Sequence, residues 1–360
     1  MGVIMKQGEY MRKIRIAIGI EAAFLLILFL AWQPQGAQDD EITANAGADS
    51  GENIKWVDFN VTYDALCMAY KWDVSTYGTD IHLNWIELLA YLGAGYGGDF
   101  SAHKKSLEKD MDQLAETLLG GESTMEKLTE DMKYYAYYRE AYEAVLGGMV
   151  GEYSVRESGG DGAWTDLYGL KAFSPIAKGF EYTHYDDFGV SRSYGYKRQH
   201  LGHDMMGQVG TPIIAIESGY VEAIGWNQYG GWRIGIRSFD GKRYYYYAHL
   251  RQNYPYAEGL EAGSIVTAGD VIGYMGHTGY STKENVNNIE VTHLHWGMEL
   301  IFDEERRKAG NEIWIDVYPL TQFLYQNRSE AAKVEGTKEW KRTVEMRDPA
   351  VEEYGAQKEK

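Results

Sequence analysis

Five side chains between residues 200 and 295 stand out for the chemistry they could do together. His200-Leu201-Gly202-His203-Asp204 sets an imidazole and a carboxylate four residues apart, and His293-Leu294-His295 sets two imidazoles two apart. On extended strands, with a side-chain period of two, each of these pairs points to one face. Two histidines and one aspartate supply three nitrogen or oxygen ligands and leave the fourth tetrahedral position of a zinc ion open to water, as in a catalytic site. Either spacing alone recurs by chance in many chains, but their joint occurrence on neighbouring strand patterns is far more specific. Tyr247-Ala248-His249-Leu250 adds an imidazole at a strand end, where it could act as a base or stabilise charge on a tetrahedral intermediate. No His-Glu-x-x-His occurs, which excludes the helix-borne zinc protease class.

These residues need strands to position them, and the surrounding pattern supplies them. Pro212 to Glu217, Tyr220 to Trp226, Trp232 to Ser238 and Arg243 to His249 are short runs rich in Ile, Val, Tyr and Trp, and Ser264 to Val266, Val271 to Met275 and His293 to Phe302 continue the series. Asp240-Gly241 between two of them is a strong hairpin-turn signal, so an antiparallel sheet is expected. Upstream, residues 55–155 carry apolar residues at helical spacing, among them Trp85, Leu88, Leu89 and Leu92, then Leu107, Met111, Leu114 and Leu118. They predict a helical accessory module of three to five helices, with Ser123 or Thr124 capping one that runs through Tyr134 to Val145. The fold class expected is α+β.

The chain begins with an address. Residues 1–15 carry Lys6, Arg12, Lys13 and Arg15, and residues 16–32 are apolar apart from Gly19 and Glu21. A helix over 16–32 reads as a retained transmembrane signal anchor, with 1–15 cytoplasmic and the bulk of the chain outside the cell. Residues 33–54 read as a linker, and residues 327–360, charged and poor in apolar residues, as a partly ordered tail. The net charge of -18 falls almost entirely on the linker and helical module, and it gives no electrostatic basis for binding nucleic acid. A single cysteine, Cys67, rules out an internal disulfide scaffold and a cysteine-built zinc finger.

Residues 172–300 resemble the lysostaphin/LytM-type zinc metalloendopeptidases, which cut peptide cross-links in bacterial cell wall. The resemblance rests on Phe188-Gly189, the His200–Asp204 motif, Gly210-Thr211-Pro212, Ser218 to Val221, Tyr247 to Leu250, Val266 to Gly269, Ile272-Gly273, Gly276, Thr278-Gly279 and His293 to Trp296, in family order. It implies a LytM-type peptidase domain over 165–326, one Zn2+ per chain held by His200, Asp204 and His295, and His249 and His293 as catalytic histidines that do not bind the metal. It also implies peptidoglycan as the partner. The chain departs from the family pattern at Tyr280 to Thr292, a longer link that suggests an extra loop over the cleft, and at Trp296-Gly297-Met298, which replaces an aromatic-acid pair. The helical module followed by this peptidase is also similar to wall-opening proteins of conjugative elements in Gram-positive bacteria, which implies a membrane secretion or conjugation complex as a further partner. The alternative is a non-hydrolytic peptidoglycan-binding or scaffold protein, as in sporulation channels; degenerate members of that kind lose ligands, and this chain keeps all three.

Other residues have plainer readings. His203 would point to the opposite strand face, as a structural or solvent-facing residue. His277 lies in a Gly-rich turn near the motif, where contact with substrate is the minority reading, and His82, His103 and His184 have no partner at ligand spacing. In Tyr244 to Tyr247 alternate rings must face the core. Glu87, without a second placed carboxylate, is poor support for glycoside chemistry.

Overall fold

The structure is a computed structural model in which residues 57–358 are described, apart from 58, 158, 160, 161 and 194–196. The segments expected at 1–15, 16–32 and 33–54 lie outside the described residues. Among the described residues, no helix is long and apolar enough to cross a membrane.

Five helices precede the sheet among these residues: α1 (Tyr63–Thr76), α2 (Trp85–Tyr96), α3 (Leu107–Leu119), α4 (Met125–Thr129) and α5 (Tyr135–Leu146). Local chemistry sets their ends. The Asn84 side chain accepts from the Ile86 and Glu87 amides at the start of α2, and Gly97, in the left-handed region, closes it. Thr124 accepts from the Lys127 amide, but it caps only the one-and-a-half-turn α4, and α5 begins separately at Tyr135. Glu130 and Asp131 put negative charge at the carbonyl end of α4, where the helix dipole disfavours it. The apolar stripes of α1, α2, α3 and α5 bury Leu66, Leu88, Leu89, Met111, Val145 and Leu146 in a core continuous with that of the sheet.

β1 (Val150–Glu157) and β2 (Thr165–Leu170) pair antiparallel directly after α5. The main sheet has eight strands in all. They are drawn from β3 (Thr183–His184), β6 (His203–Met206), β8 (Gly219–Asn227), β9 (Gly231–Ser238), β10 (Arg243–Ala248), β11 (Ile265–Val266), β13 (His293–Leu300) and β14 (Ile313–Ile315). Their order is β11-β8-β9-β10-β13-β6-β3, antiparallel throughout, with β14 also on β13. The hairpin β4 (Ser191–Ser193) and β5 (Lys197–Gln199) precedes β6, and β7 (Pro212–Ile214) pairs with β12 (Val271–Tyr274). The expected turn at Asp240-Gly241 joins β9 to β10, with Gly241 at φ 75. α6 (Glu304–Lys308) and α7 (Tyr318–Leu324) complete this region.

The sheet has one dry face and one grooved face. Leu294, Trp296 and Met298 of β13 are buried in the core together with Tyr245 and Tyr247 of β10. Each such side chain contributes about 1.5–3 kcal/mol of burial. Tyr244 and Tyr246, one residue out of phase, line the groove on the other face, so the tyrosine run divides as strand alternation requires. The helices pack on the dry side: Phe323 of α7 meets Tyr70 of α1 at 5.6 Å and Trp85 of α2 at 5.7 Å between ring centroids.

The C-terminal residues are folded on the rest of the unit. β15 (Ala331–Lys333) and β16 (Trp340–Arg342) form a hairpin, β17 (Val344–Arg347) pairs with β1, and α8 (Pro349–Lys358) follows. The segment has few apolar residues, and its anchorage is mostly polar: Asn327 donates to the Leu170 and Ala172 carbonyls, Arg342 to Asp270, and Lys171 to Asp348 at 2.7 Å. A count of apolar residues misses such anchorage, which is why the sequence reads as a tail.

Candidate metal centre

Neighbouring strands bring two of the sequence-singled residues together directly. His295 of β13 stands opposite Asp204 of β6 in the antiparallel register, and His293 stands opposite Met206. His200 arrives differently from the single strand expected: β5 ends at Gln199 and β6 begins at His203, so residues 200–202 form a link. That link is held by backbone bonds from the His200 amide to the Val190 carbonyl and from the Gly189 amide to the His200 carbonyl. Gly202 lets it pass the site, because a Cβ there would lie 2.6 Å from the His295 ring and 2.8 Å from the Trp296 carbonyl oxygen.

Three atoms converge. His200 Nε2 is 3.0 Å from Asp204 Oδ1 and 3.0 Å from His295 Nδ1, and His295 Nδ1 is 2.9 Å from Asp204 Oδ1. The protonation pattern suits a cation. His200 Nδ1 lies 3.1 Å from the Asp187 carbonyl, which can only accept, so Nδ1 carries the proton and Nε2 presents its lone pair inward. Burial pushes the His295 imidazolium down, toward the neutral ring. Burial also opposes the charge on Asp204, but the flanking His200 and His295 outweigh it and hold its carboxyl well below the usual carboxylate range. A carboxylate and two imidazoles within one coordination radius form a donor set that fits a divalent metal.

The other two histidines lie at the edge of this cluster. His293 Nε2 is 3.7 Å from Asp204 Oδ1, and the His249 ring is 4.7 Å from that of His293. Both repeat the pattern of His200: His249 Nδ1 donates to the Thr278 carbonyl at 2.9 Å and His293 Nδ1 to the Val291 carbonyl at 2.8 Å. Nε2 of each is therefore the free nitrogen. His249 follows the last residue of β10 with φ 62, a conformation uncommon outside glycine, and Gly276 donates to its carbonyl. Burial, then the neighbouring His293 and His295, hold its imidazolium well below the ordinary range, so the ring is neutral.

The groove over these residues holds about 860 Å³. Tyr280, Asn288, Ile289 and Val291 line one part of it, so the long link after Gly279 does flank the cleft. His277 does not line the groove; its Nδ1 donates to the Ile289 carbonyl at 2.8 Å and so holds that link. His203 is on the opposite face, as its parity requires, but it is buried and not solvent-facing: it meets His184 Nδ1 at 2.8 Å, and burial lowers its pKa to about 3. His82 bonds Asp73, away from this site. Asp187 and Arg192 were missed in the sequence. Arg192 donates to Asp187 and, at 2.9 Å, to Asp204 Oδ2. Only the three-dimensional closure of the β4–β5 hairpin brings them near, and no local spacing signals it.

An antiparallel sheet with N-terminal helices and a histidine–aspartate cluster at one end of a groove defines a LytM-type peptidase domain. Residues 198–309 match the model of peptidase family M23, so the chain carries an M23 peptidase domain there. It is 38% identical over 124 residues to the L-Ala–D-Glu endopeptidase of Bacillus subtilis, a stretch covering 34% of this chain and 36% of that protein. It is 38% identical over 89 residues to lysostaphin of Staphylococcus simulans, covering 24% of this chain and 17% of that one. The chain thus spans about a third or less of the length of these relatives. Among solved structures, one described as a glycyl-glycine endopeptidase LytM from Ruminococcus gnavus superposes with a TM-score of 0.51 at 21% identity, covering 76% of this chain and 91% of that one. The likeness in fold therefore extends beyond the sheet domain.

Proposed function

We propose that the protein is a zinc metalloendopeptidase that hydrolyses peptide cross-links of bacterial peptidoglycan. The convergence of His200, Asp204 and His295 in metal-binding protonation states, inside an M23 domain, carries this reading. These three residues hold the ion, and His249 and His293 are the catalytic histidines. Bound zinc supplies Lewis-acid polarisation of the scissile carbonyl and lowers the pKa of water toward ~7. Asp187 and Arg192 orient His200 and Asp204. His293 and His249 line the groove with their protons on Nδ1, so Nε2 of one would take the water proton and return it to the leaving amine, and the other, once protonated at Nε2, would donate a hydrogen bond to the developing oxyanion.

The basic, then apolar, N-terminus supports a membrane-anchored protein with its bulk outside the cell, and local wall opening for a secretion or conjugation apparatus is the setting this reading favours. The test incubates the full chain with purified cell wall and measures new amino termini and bound zinc. Release that stops in His293→Ala, with zinc still bound, is the expected result. Zinc bound without any release in the wild type would refute hydrolysis and favour a wall-binding scaffold.

A further inference from the structure

The charged groups of the groove are mostly spoken for. Glu299 pairs with Arg307, Glu312 accepts from Trp314, and Arg192 is held by Asp187 and Asp204. Arg233, Arg198 and the exposed Glu290 are the charged residues of the groove with neither an ion pair nor a side-chain hydrogen bond among the described residues, and of these Arg233 has a buried donor left over. It lines the groove from β9, it has no ion pair among the described residues, and its Nε is buried without a hydrogen-bond partner. A guanidinium offers five donors in a planar fork, and leaving one partly buried and unmatched is costly unless something else completes it. Arg198, also in the groove, likewise faces no carboxylate; it lies over the Tyr280 ring at 4.8 Å.

Strand register places Arg233 relative to the metal centre. His295 stands opposite Ala248, and Tyr247 opposite Ile234, so the next residue pair aligns Arg233 with Ala248. By continuation of that register Arg233, Ala248, His295 and Asp204 form one row across four strands, with the Tyr246 ring, 6.0 Å from that of His295, beside it in the groove. At roughly 4.8 Å per strand, the Arg233 and His295 Cα atoms are about 10 Å apart, the span of about three extended peptide residues.

We propose that Arg233 binds a free carboxylate of the substrate peptide within about three residues of the scissile amide, so that the enzyme selects acidic stem peptides over uncharged glycine bridges. The proposal rests on the peptidase reading above and names the substrate class for it. The cleaved bonds in the names of the similar proteins differ in this respect: that of the Bacillus subtilis endopeptidase is flanked by glutamate, and that of the Ruminococcus gnavus structure joins glycines. The carboxylate could be the α-carboxylate of a γ-linked glutamate or the C-terminal carboxylate of the stem.

Three synthetic peptides separate these sources: L-Ala-γ-D-Glu-L-Lys-D-Ala, the same peptide amidated at the glutamate α-carboxylate, and the same peptide amidated at its C-terminus. The zinc-loaded full chain should cleave the parent with kcat/KM about 10- to 100-fold above that for one of the two amides, and that amide identifies the group bound. Arg233→Gln should erase the preference and change the rate on the disfavoured amide by less than about threefold. Equal rates on all three peptides, or an Arg233→Gln variant that slows all three alike, would overturn the proposal. Absence of cleavage by the wild type would count against the peptidase reading alone; in that case calorimetric titration of the same peptides into the His293→Ala chain decides the matter. The same affinity ratio, lost on adding Arg233→Gln, supports carboxylate binding, and equal affinities overturn it.

Discussion

Two buried polar clusters sit on opposite faces of the same sheet, and they are built by opposite rules. On the dry face Arg243 is 1% exposed and every donor has an acceptor: Nε and Nη2 reach the two Glu217 oxygens at 2.8 and 3.0 Å, and Nη2 also reaches Asp240 at 2.9 Å. Nη1 reaches the Ala144 carbonyl at 3.0 Å, and Tyr245 donates to Glu217 at 2.6 Å. On the grooved face, His200, Asp204 and His295 bring acceptors together with too few protons to bridge them. The first cluster ties α5 to the sheet. The second converges its donor atoms on one point, the arrangement of a group able to hold a metal ion.

Removing a member of each cluster should therefore give opposite signatures. Asp204→Ala or His295→Ala is expected to lower wall cleavage by about 10³-fold or more and abolish zinc retention, while the unfolding free energy of the metal-free protein changes by less than about 1 kcal/mol. Metal analysis and denaturant unfolding on the same samples check both halves. Arg243→Ala should do the reverse: it strands the Glu217 carboxylate and costs about 3–5 kcal/mol of stability, with activity per folded molecule retained. A large loss of zinc affinity in Arg243→Ala at a temperature where it is folded would erase the distinction.

Glu299 lies between these extremes. It is buried on the grooved face and receives Arg307 Nε at 3.0 and 3.1 Å, yet burial raises its pKa from 4.5 to about 7. Burial outweighs the Arg307 charge, and the neighbouring Glu312 carboxylate adds to the rise. A carboxyl whose folded pKa is raised holds its proton longer in the folded state. Its contribution is thus full below the unfolded value and is lost as pH rises through about 7. Stability should fall between about pH 4.5 and 7 at up to about 1.4 kcal/mol per pH unit, and Glu299→Gln should flatten that slope. The smallest effect is expected for Lys178→Ala. Its ion pair with Glu330 is exposed on both sides, at 59% and 53%, and its loss should cost under about 0.5 kcal/mol in the same unfolding assay.

The histidine and aspartate spacings were legible because strand alternation converts sequence parity directly into a shared face. Asp204, His293 and His295 obey it, as do Tyr245 and Tyr247 on the other side. His200 reached its place through a link that parity does not describe, and its orienting partners Asp187 and Arg192 come from a hairpin whose closure no local pattern encodes. Hydrophobic periodicity found the helices but ran α4 and α5 together, since it registers faces and not breaks. The folding of the C-terminal segment was illegible for a related reason: its strands are fixed by partners far away in the chain.

The pairing of β17 with β1 has a consequence for how the molecule comes into being. Arg156 and Glu345, joined across these strands, are 189 residues apart. A chain being synthesised N-terminus first carries β1 with one open edge until β17 has been made, and such distant pairings form late. During that interval the edge is a template for any extended segment nearby. Shortening the chain before Val344 would make that passing exposure permanent.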